Sequence, residues 1–374
     1  VQTCALPISQ ARIAHHLLYS DNFQNMACSD KTIKLRNMRH LFPTRWKRTC
    51  NLADDIGGIK SGRYPECVLG RNFKVRSTPV SVRLRPEEAE NLLIVGTNDQ
   101  GQGTRVLLTS LISLMYYHKK CGKKAHFHLI LNGEIENEEQ ENTLYNLEKW
   151  GVEIADSRAT RTALLKKLYQ QIMNRSYSEE EQSSNEVKQY ICLLGQDFYH
   201  EMRKNNDIEV EISVNKKREE YCKNRDARGK LVFPMLYKNN GSEEKKKQEE
   251  ADAKDTEMIS VSTRQVWQTL LKDGPERGIH SLWQLNNVNK FFHNTENHVY
   301  MRDLEKYFSS IAFLRMPEED SRFSTVKMDL QKLNSDFENL QLALYSLEKS
   351  DYELLSPYVQ PTGEEIERLL YKEQ

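Results

Sequence analysis

The sequence predicts an α/β domain in which a mostly parallel central sheet is flanked by helices. Short runs rich in leucine and β-branched residues alternate with longer segments of helical periodicity across residues 91–194. One of these runs, Tyr190–Leu194, is continuously apolar between polar neighbours, which is typical of a buried parallel strand. Strands that are separated by helices form crossover units, and such units build a parallel sheet.

The segment from Asn91 to Met115 predicts a strand, a glycine-rich turn and a helix. We expect its strand, Leu92–Val95, at the centre of the sheet. The frame Gly-x-x-x-x-Gly of a phosphate-binding P-loop is present as Gly96 to Gly101. The candidate nucleotide-binding residues are Gly96, Thr97, Asn98, Asp99, Gln100, Gly101, Gln102, Gly103 and Thr104.

Two positions of this loop depart from the P-loop pattern. Gln102 stands where a lysine normally reaches the terminal phosphates, and Gly103 stands where a Ser or Thr hydroxyl normally binds magnesium. Backbone N–H groups and the helix N-terminus can still hold a phosphate. Thr104 supplies the nearest hydroxyl, one residue late. Because glycine-rich turns between strand and helix are common in α/β proteins, the loop alone leaves a coincidental match open.

The remaining elements follow the same reading in chain order. Val80–Leu84 alternates like a half-buried strand, which Pro86 ends. Further strands are predicted at Ala125–Leu131, Val152–Ala155, Gly278–Trp283, Ser309–Met316 and Leu342–Leu347, the last of them. Further helices are predicted at Glu141–Trp150, Thr160–Met173 and Thr263–Lys272.

Domain boundaries follow from changes in composition. Residues 1–9 resemble a translated sequencing adapter and are set aside, which predicts that the protein begins further upstream. Residues 10–67 combine weak periodicity with basic residues and predict a linker or the remnant of a preceding domain, with phosphate-backbone contact as the alternative. The main domain is predicted at 68–368, with a charged insertion at about 215–257 and a tail at 369–374.

Composition narrows the class of protein. The chain has 54 Lys and Arg against 54 Asp and Glu, so no overall basic field points to nucleic acid. Its seven cysteines form no C-x-x-C pair, which favours reduced thiols and a cytoplasmic location. His126 and His128 alternate along a strand and are interpreted as structural, so no metal site is predicted. No apolar run approaches the roughly 18 residues of a membrane-spanning helix.

A second motif position lies after the strand Tyr190–Leu194. P-loop motors carry Asp-Glu there, the aspartate for magnesium and the glutamate for the attacking water. This chain has Gly195 and Gln196 instead, which neither bind a cation strongly nor accept a proton. Asp197 follows, either as a displaced acid or as a solvent-facing residue at the start of a helix.

The order of these pieces resembles the FtsK/SpoIIIE family of motor domains, in the broader HerA–FtsK group. Asn91–Gly96 is similar to the family's loop strand, and Gly278–His280 to its G-I-H strand start. Arg315–Ser321 resembles its R-(M/V)-x-x-x-D-S stretch, and Ser356–Pro361 its closing R-P-Y-x-x-P. The resemblance covers residues 68–368 and implies a RecA-like P-loop NTPase fold.

The resemblance also implies a cofactor, a site and partners. The family uses ATP with Mg²⁺, so Gly96–Thr104 would be the nucleotide loop and Gly195-Gln196 the Asp-Glu site. Asn286 would replace a glutamine that senses the terminal phosphate. The family works as hexameric pumps of double-stranded DNA, and its secretion branch (EssC-like) moves protein substrates. The implied partners are upstream motor domains of the same chain, a ring-type oligomer, and double-stranded DNA through the full assembly.

The departures predict a degenerate copy that does not hydrolyse ATP and binds it weakly or not at all. Loss of one positioned electrostatic donor typically costs a factor of about 10²–10³ in rate, and several are absent here. The chain would then be a structural or regulatory module of a larger ATP-driven DNA translocase. The alternative is an active translocase domain that uses Thr104 and Asp197, or a secretion-type motor domain.

Overall fold

The computed structural model describes residues 50–58, 62–72, 77–96, 101–131, 138–174, 187–194, 207–213, 256–286, 304–315 and 342–371. The strands in these ranges are β1 (Cys50–Asn51), β2 (Glu66–Asn72), β3 (Pro79–Arg83), β4 (Leu92–Val95), β5 (Ala125–Leu131), β6 (Val152–Ala155), β7 (Lys188–Leu194), β8 (Asp207–Ser213), β9 (Thr256–Ser262), β10 (Ile279–Leu285), β11 (Ser310–Phe313), β12 (Leu342–Ser346) and β13 (Asp351–Val359). The α-helices are α1 (Leu52–Ile56), α2 (Gln102–Cys121), α3 (Glu138–Lys149), α4 (Arg158–Asn174), α5 (Thr263–Lys272) and α6 (Gly363–Leu370). Short 3₁₀ turns lie at Pro275–Arg277 and Leu304–Tyr307.

The core of the main sheet is parallel, in the order β11-β4-β10-β7-β5-β6. β4 pairs in parallel with β10 on one side and with β11 on the other, and Leu92 lies opposite both Leu282 and Ser310. The prediction that Leu92–Val95 is central, with parallel neighbours, is therefore confirmed.

The order of the strands defines the fold class. The loop strand β4 and the strand β7 are not neighbours, because β10 lies between them and pairs with both. β5 continues the parallel sheet beyond β7, and helices cover both faces. This is the arrangement of a RecA-like P-loop NTPase, as the sequence predicts.

An antiparallel wing extends the sheet beyond β11, in the order β12, β13, β2, β3. The expectation that Leu342–Leu347 is the last strand is wrong, because β13 follows it and pairs with both β12 and β2. Pro357 lowers the strand propensity of this segment. It is accommodated because it lies opposite Gly70, where the register of β2 against β3 shifts.

The chain contributes to this sheet upstream of the predicted domain start at 68. β1 pairs in parallel with β13, and β2 already begins at Glu66. Asp55 of α1 accepts hydrogen bonds from Arg71 Nε at 2.5 Å and from the Tyr358 hydroxyl at 2.8 Å. Residues 50–58 are therefore an integral part of the domain.

The helices cover the two faces of the sheet differently. On one face, α2 is buried along almost its whole length, and α1 and α6 add apolar residues to the same core. Leu370 of α6 is buried in this core, so the helix runs into the predicted tail at 369–374. On the other face, α4 and α5 lie on the sheet.

A separate hairpin of β8 and β9 forms a further layer over α4 and α5. Ile208, Val210 and Ile212 of β8 are buried in the core that these helices share. The hairpin corrects the end of the predicted insertion, because Thr256 and Glu257 belong to β9. Residues 214–255 lie outside the described part of the chain. No helix in the described ranges is long and apolar enough to cross a membrane.

Candidate functional site

The candidate site lies at the carboxyl edge of the parallel strands. Val95, Leu285 and Phe313 end β4, β10 and β11 at the same level of the sheet. Leu194 ends β7 on the far side of β10. In open α/β sheets, ligands bind outside this edge, because the loops that leave the strands there form a crevice.

Gly96 begins the loop in a conformation that favours glycine. Its φ is +138°, and its N–H donates to the Leu285 carbonyl at 3.0 Å. A Cβ at this position would lie 2.7 Å from the Arg315 carbonyl oxygen and 2.7 Å from Leu314 Cβ. The start of the loop is thus held by backbone contacts with both neighbouring strand ends, and the site has no room for a side chain at Gly96.

Gly101 ends the loop and begins α2. It has a left-handed conformation, with φ 70°, and no side chain caps the helix. The first turn contains no acidic residue, so the first N–H groups of α2 and the positive end of its dipole stay available for an anion. The backbone frame for a phosphate is therefore present at both glycines.

The side chains that follow Gly101 do not complete a nucleotide site. Gln102 is the first helical residue and is half-buried, while Gly103 and Thr104 are buried. Gln102 offers a neutral carboxamide in place of an ammonium group, and Gly103 has no hydroxyl. A phosphate fits the backbone frame, whereas a magnesium ion finds neither of its expected loop contacts.

The remaining predicted site residues divide into two groups. Asn286 follows the end of β10 and is half-buried at the same edge as Gly96. The loop residues 97–100 and the positions Gly195, Gln196 and Asp197 lie outside the described residues. Gly195 directly follows Leu194, the last residue of β7. In the described ranges, no three His, Cys, Asp or Glu side chains are arranged to hold a metal ion.

Sequence reasoning missed one polar residue of this edge, Gln284. It lies on β10 opposite Ile94, is 1% exposed, and its amide donates to Asn286 Oδ1. Alternation along β10 places it on the same face as Leu282, whose core includes α2. The signal was present, because a glutamine two residues from Asn286 interrupts an otherwise apolar strand end.

His128, interpreted as structural from the sequence, contacts side chains of the sheet. It is 2% exposed, and its Nδ1 lies 3.1 Å from Glu153 Oε2 while its Nε2 lies 3.2 Å from Gln189 Oε1. Burial lowers the pKa of this imidazole. These contacts tie β5 to β6 and β7, away from the carboxyl edge.

Comparisons with known proteins were made for the sequence and for the fold. No protein-family model matches the sequence, and no curated protein matches it. The fold is similar to the cytoplasmic domain of the Thermomonospora curvata type VII secretion ATPase EccC, with a TM-score of 0.48 and 12% identity over 86% of this chain and 33% of that one. It is also similar to the pCW3 conjugation coupling protein TcpA with ATPγS, with a TM-score of 0.46 and 11% identity over 80% of this chain and 67% of that one.

A third similar structure is EssC (ATPases 2 and 3) from Geobacillus thermodenitrificans, with a TM-score of 0.43 and 11% identity over 83% of this chain and 50% of that one. This chain spans a third of the length of the EccC structure and half of this EssC structure. By its own strand order and loop, the chain is a RecA-like domain, and the structures similar to it are of secretion and conjugation proteins.

Proposed function

We propose that this chain is a degenerate motor domain of the FtsK/SpoIIIE type that does not hydrolyse ATP. It serves as a structural or regulatory module of a larger, cytoplasmic, ATP-driven DNA translocase. One observation carries the proposal: the backbone frame of the nucleotide site is intact, while its chemical side chains are replaced. Gly96 and Gly101 keep the loop conformation, whereas Gln102 and Gly103 lack the charge and the hydroxyl.

The frame that remains supports weak anion binding. The first turn of α2 presents unsatisfied N–H groups and carries no acidic residue. No ammonium group follows Gly101, and Gly195-Gln196 offers no carboxylate for a metal ion or a water molecule. Each such loss typically costs a factor of about 10²–10³ in rate, so hydrolysis is not supported even if the losses are strongly non-additive.

Restoring the loop side chains should restore binding before it restores turnover. We expect Gln102→Lys with Gly103→Thr to bind Mg-ATP at least about tenfold more tightly than the natural chain, because a charge-assisted contact and a metal ligand are regained. Phosphate release should stay at background until Gly195→Asp and Gln196→Glu are added. Calorimetry measures binding, and a phosphate-release assay measures turnover.

The matched control is Gln170→Lys, which adds the same charge on α4 far from the loop and should leave ATP affinity unchanged. Magnesium-dependent turnover of about 1 s⁻¹ or more by the natural chain would contradict the proposal. If Asp197→Ala then abolished that turnover, the active translocase with an unorthodox site would take its place.

The module role predicts an effect on assembly in a longer parent chain. A RecA-like domain can pack beside active motor domains without its lysine or its acids, because fold and interface do not need them. Removing the domain from about residue 50 onward should change DNA-stimulated ATPase activity or the mass measured by light scattering. The cut must precede Cys50, since β1 and α1 belong to the sheet.

Identical assembly and activity with and without the domain would remove the regulatory role. The isolated chain should bind duplex DNA weakly. Tight duplex binding with a steep salt dependence would instead favour the active translocase alternative.

A further inference from the structure

A cluster of aromatic and histidine rings is buried beneath the C-terminal end of α2. It contains His118 of α2, Phe127 of β5, Tyr190 of β7 and His280 of β10, and we call it the histidine cluster. Tyr190 stacks on Phe127 at 5.2 Å and on His280 at 5.9 Å between ring centroids. His118 is 4% exposed and His280 is 1% exposed. Two titratable rings therefore lie inside the core that holds α2 on the sheet.

His118 links α2 directly to the sheet. It lies in the last turn of α2, and its Nε2 is 2.7 Å from the Tyr190 hydroxyl. In the tautomer with its proton on Nδ1, the ring accepts a hydrogen bond from this hydroxyl. A doubly protonated ring has no acceptor nitrogen, so protonation breaks this bond or forces the hydroxyl to turn.

The surroundings of His118 oppose its protonation. Burial lowers its pKa from 6.5 to about 4; the backbone of Lys123 favours the charged ring, while the side-chain charges of Lys123 and Lys188 oppose it. Tyr117, Phe127 and Tyr190 face the ring from α2, β5 and β7. In the described ranges, no carboxylate forms an ion pair with it. His280 also raises the local cost, since its pKa too falls to about 4 by burial.

We propose that His118 is an acid-sensitive latch that fastens the last turn of α2 to the sheet. The helix ends one turn later at Gly122, which has a left-handed conformation with open space around it. Lys119, Lys120 and Lys123 around it are exposed. A charged His118 can therefore reach water when a single helical turn opens.

His280 differs from His118 in this respect. It is the second residue of β10, which β4 and β7 flank on both sides, and its Nδ1 donates to the Glu90 carbonyl at 2.9 Å. Water reaches His280 only when the sheet itself is disrupted. Local opening is thus a property of His118, while His280 contributes to global stability.

The direction of the pH effect follows from the two pKa values of His118. Above pH 6.5 the ring is neutral in both the latched and the open state, so the latch holds. Below 6.5 the open state takes up a proton and the latched state does not, until the pH reaches about 4. Opening should therefore rise about tenfold per pH unit in this window, and about thirtyfold between pH 7.5 and 5.0.

Amide hydrogen exchange at pH 7.5 and 5.0, corrected for the intrinsic pH dependence of exchange, tests the latch. We expect protection at residues 118–123 to fall about thirtyfold, and protection in β4 to fall less. His118→Gln keeps a carboxamide oxygen that can accept from Tyr190 but does not titrate, so this fall should vanish. His126→Gln removes an exposed histidine and should behave as the natural chain does.

An equal loss of protection in β4 and at residues 118–123 would show global unfolding and overturn the latch. A fall that persists in His118→Gln would overturn it as well. The change with pH is the readout, so a variant that is uniformly less stable still decides the matter. His280→Asn retains an amide donor for the Glu90 carbonyl and should leave the pH response at residues 118–123 unchanged.

Discussion

Replacing Asn91 with alanine is expected to lower the free energy of unfolding by about 4 kcal/mol, because three buried backbone groups lose their partner. Asn91 is fully buried just before β4. Its Nδ2 donates to the carbonyls of Leu271 at 2.7 Å and Tyr307 at 2.8 Å. Its Oδ1 accepts from the Ser281 N–H at 2.8 Å. One side chain thus joins the end of α5, a 3₁₀ turn and β10 to the start of the loop strand.

Urea unfolding measures this effect, and the matched control is Asn142→Ala on the exposed side of α3. The control should change stability by no more than about 0.5 kcal/mol, as exposed substitutions usually do. A loss below about 1 kcal/mol for Asn91→Ala would mean that water replaces the lost partners.

Replacing Gly96 with alanine is expected to cost about 3 kcal/mol of stability, from backbone strain and steric overlap together. The φ of +138° disfavours any L side chain, and the new Cβ would meet the Arg315 carbonyl and Leu314 Cβ at 2.7 Å. Both obstacles belong to the segment that follows β11. This segment cannot move away freely, because the Leu314 N–H donates to the Val95 carbonyl at 2.7 Å.

Gly122→Ala separates strain from overlap. Gly122 also has a positive φ, +63°, but nothing lies within 4 Å of a Cβ built there. Strain alone should cost about 1 kcal/mol at that position. Denaturant unfolding of both variants should therefore show a larger loss at Gly96. Equal losses would mean that the overlap with Leu314 and Arg315 relaxes without cost.

The elements that local periodicity defines were predicted well. Val152–Ala155 and Thr263–Lys272 have the predicted bounds, because short apolar strands and a capped amphipathic helix are encoded by neighbouring residues. The hairpin β8–β9 was missed although Asp207–Ser213 alternates strictly, because a charged segment follows it and was read as part of one insertion. β13 was missed since Pro357 argues against a strand unless a partner with a bulge accommodates it.

The candidate site divides in the same way. The glycine frame and the replacement of the loop lysine and hydroxyl are visible in consecutive residues. Gln284 was not found, because its position beside Asn286 at the edge depends on which face of β10 meets α2. The sequence proposed Asn286 alone, and the structure adds a buried amide that bonds to it.

By itself, the sequence determined the local character of this protein: a strand, a glycine loop and a buried helix, followed by alternating elements and a nucleotide site without its chemical groups. Only the tertiary structure decided that β10 lies between β4 and β7, and that β1 and β13 join the sheet. It alone showed that Asn91 and His118 bond to residues far along the chain, Ser281 and Tyr190. The physical reason is range: periodicity and backbone preference act between near neighbours, whereas strand order and buried hydrogen bonds depend on residues that only the complete fold brings together.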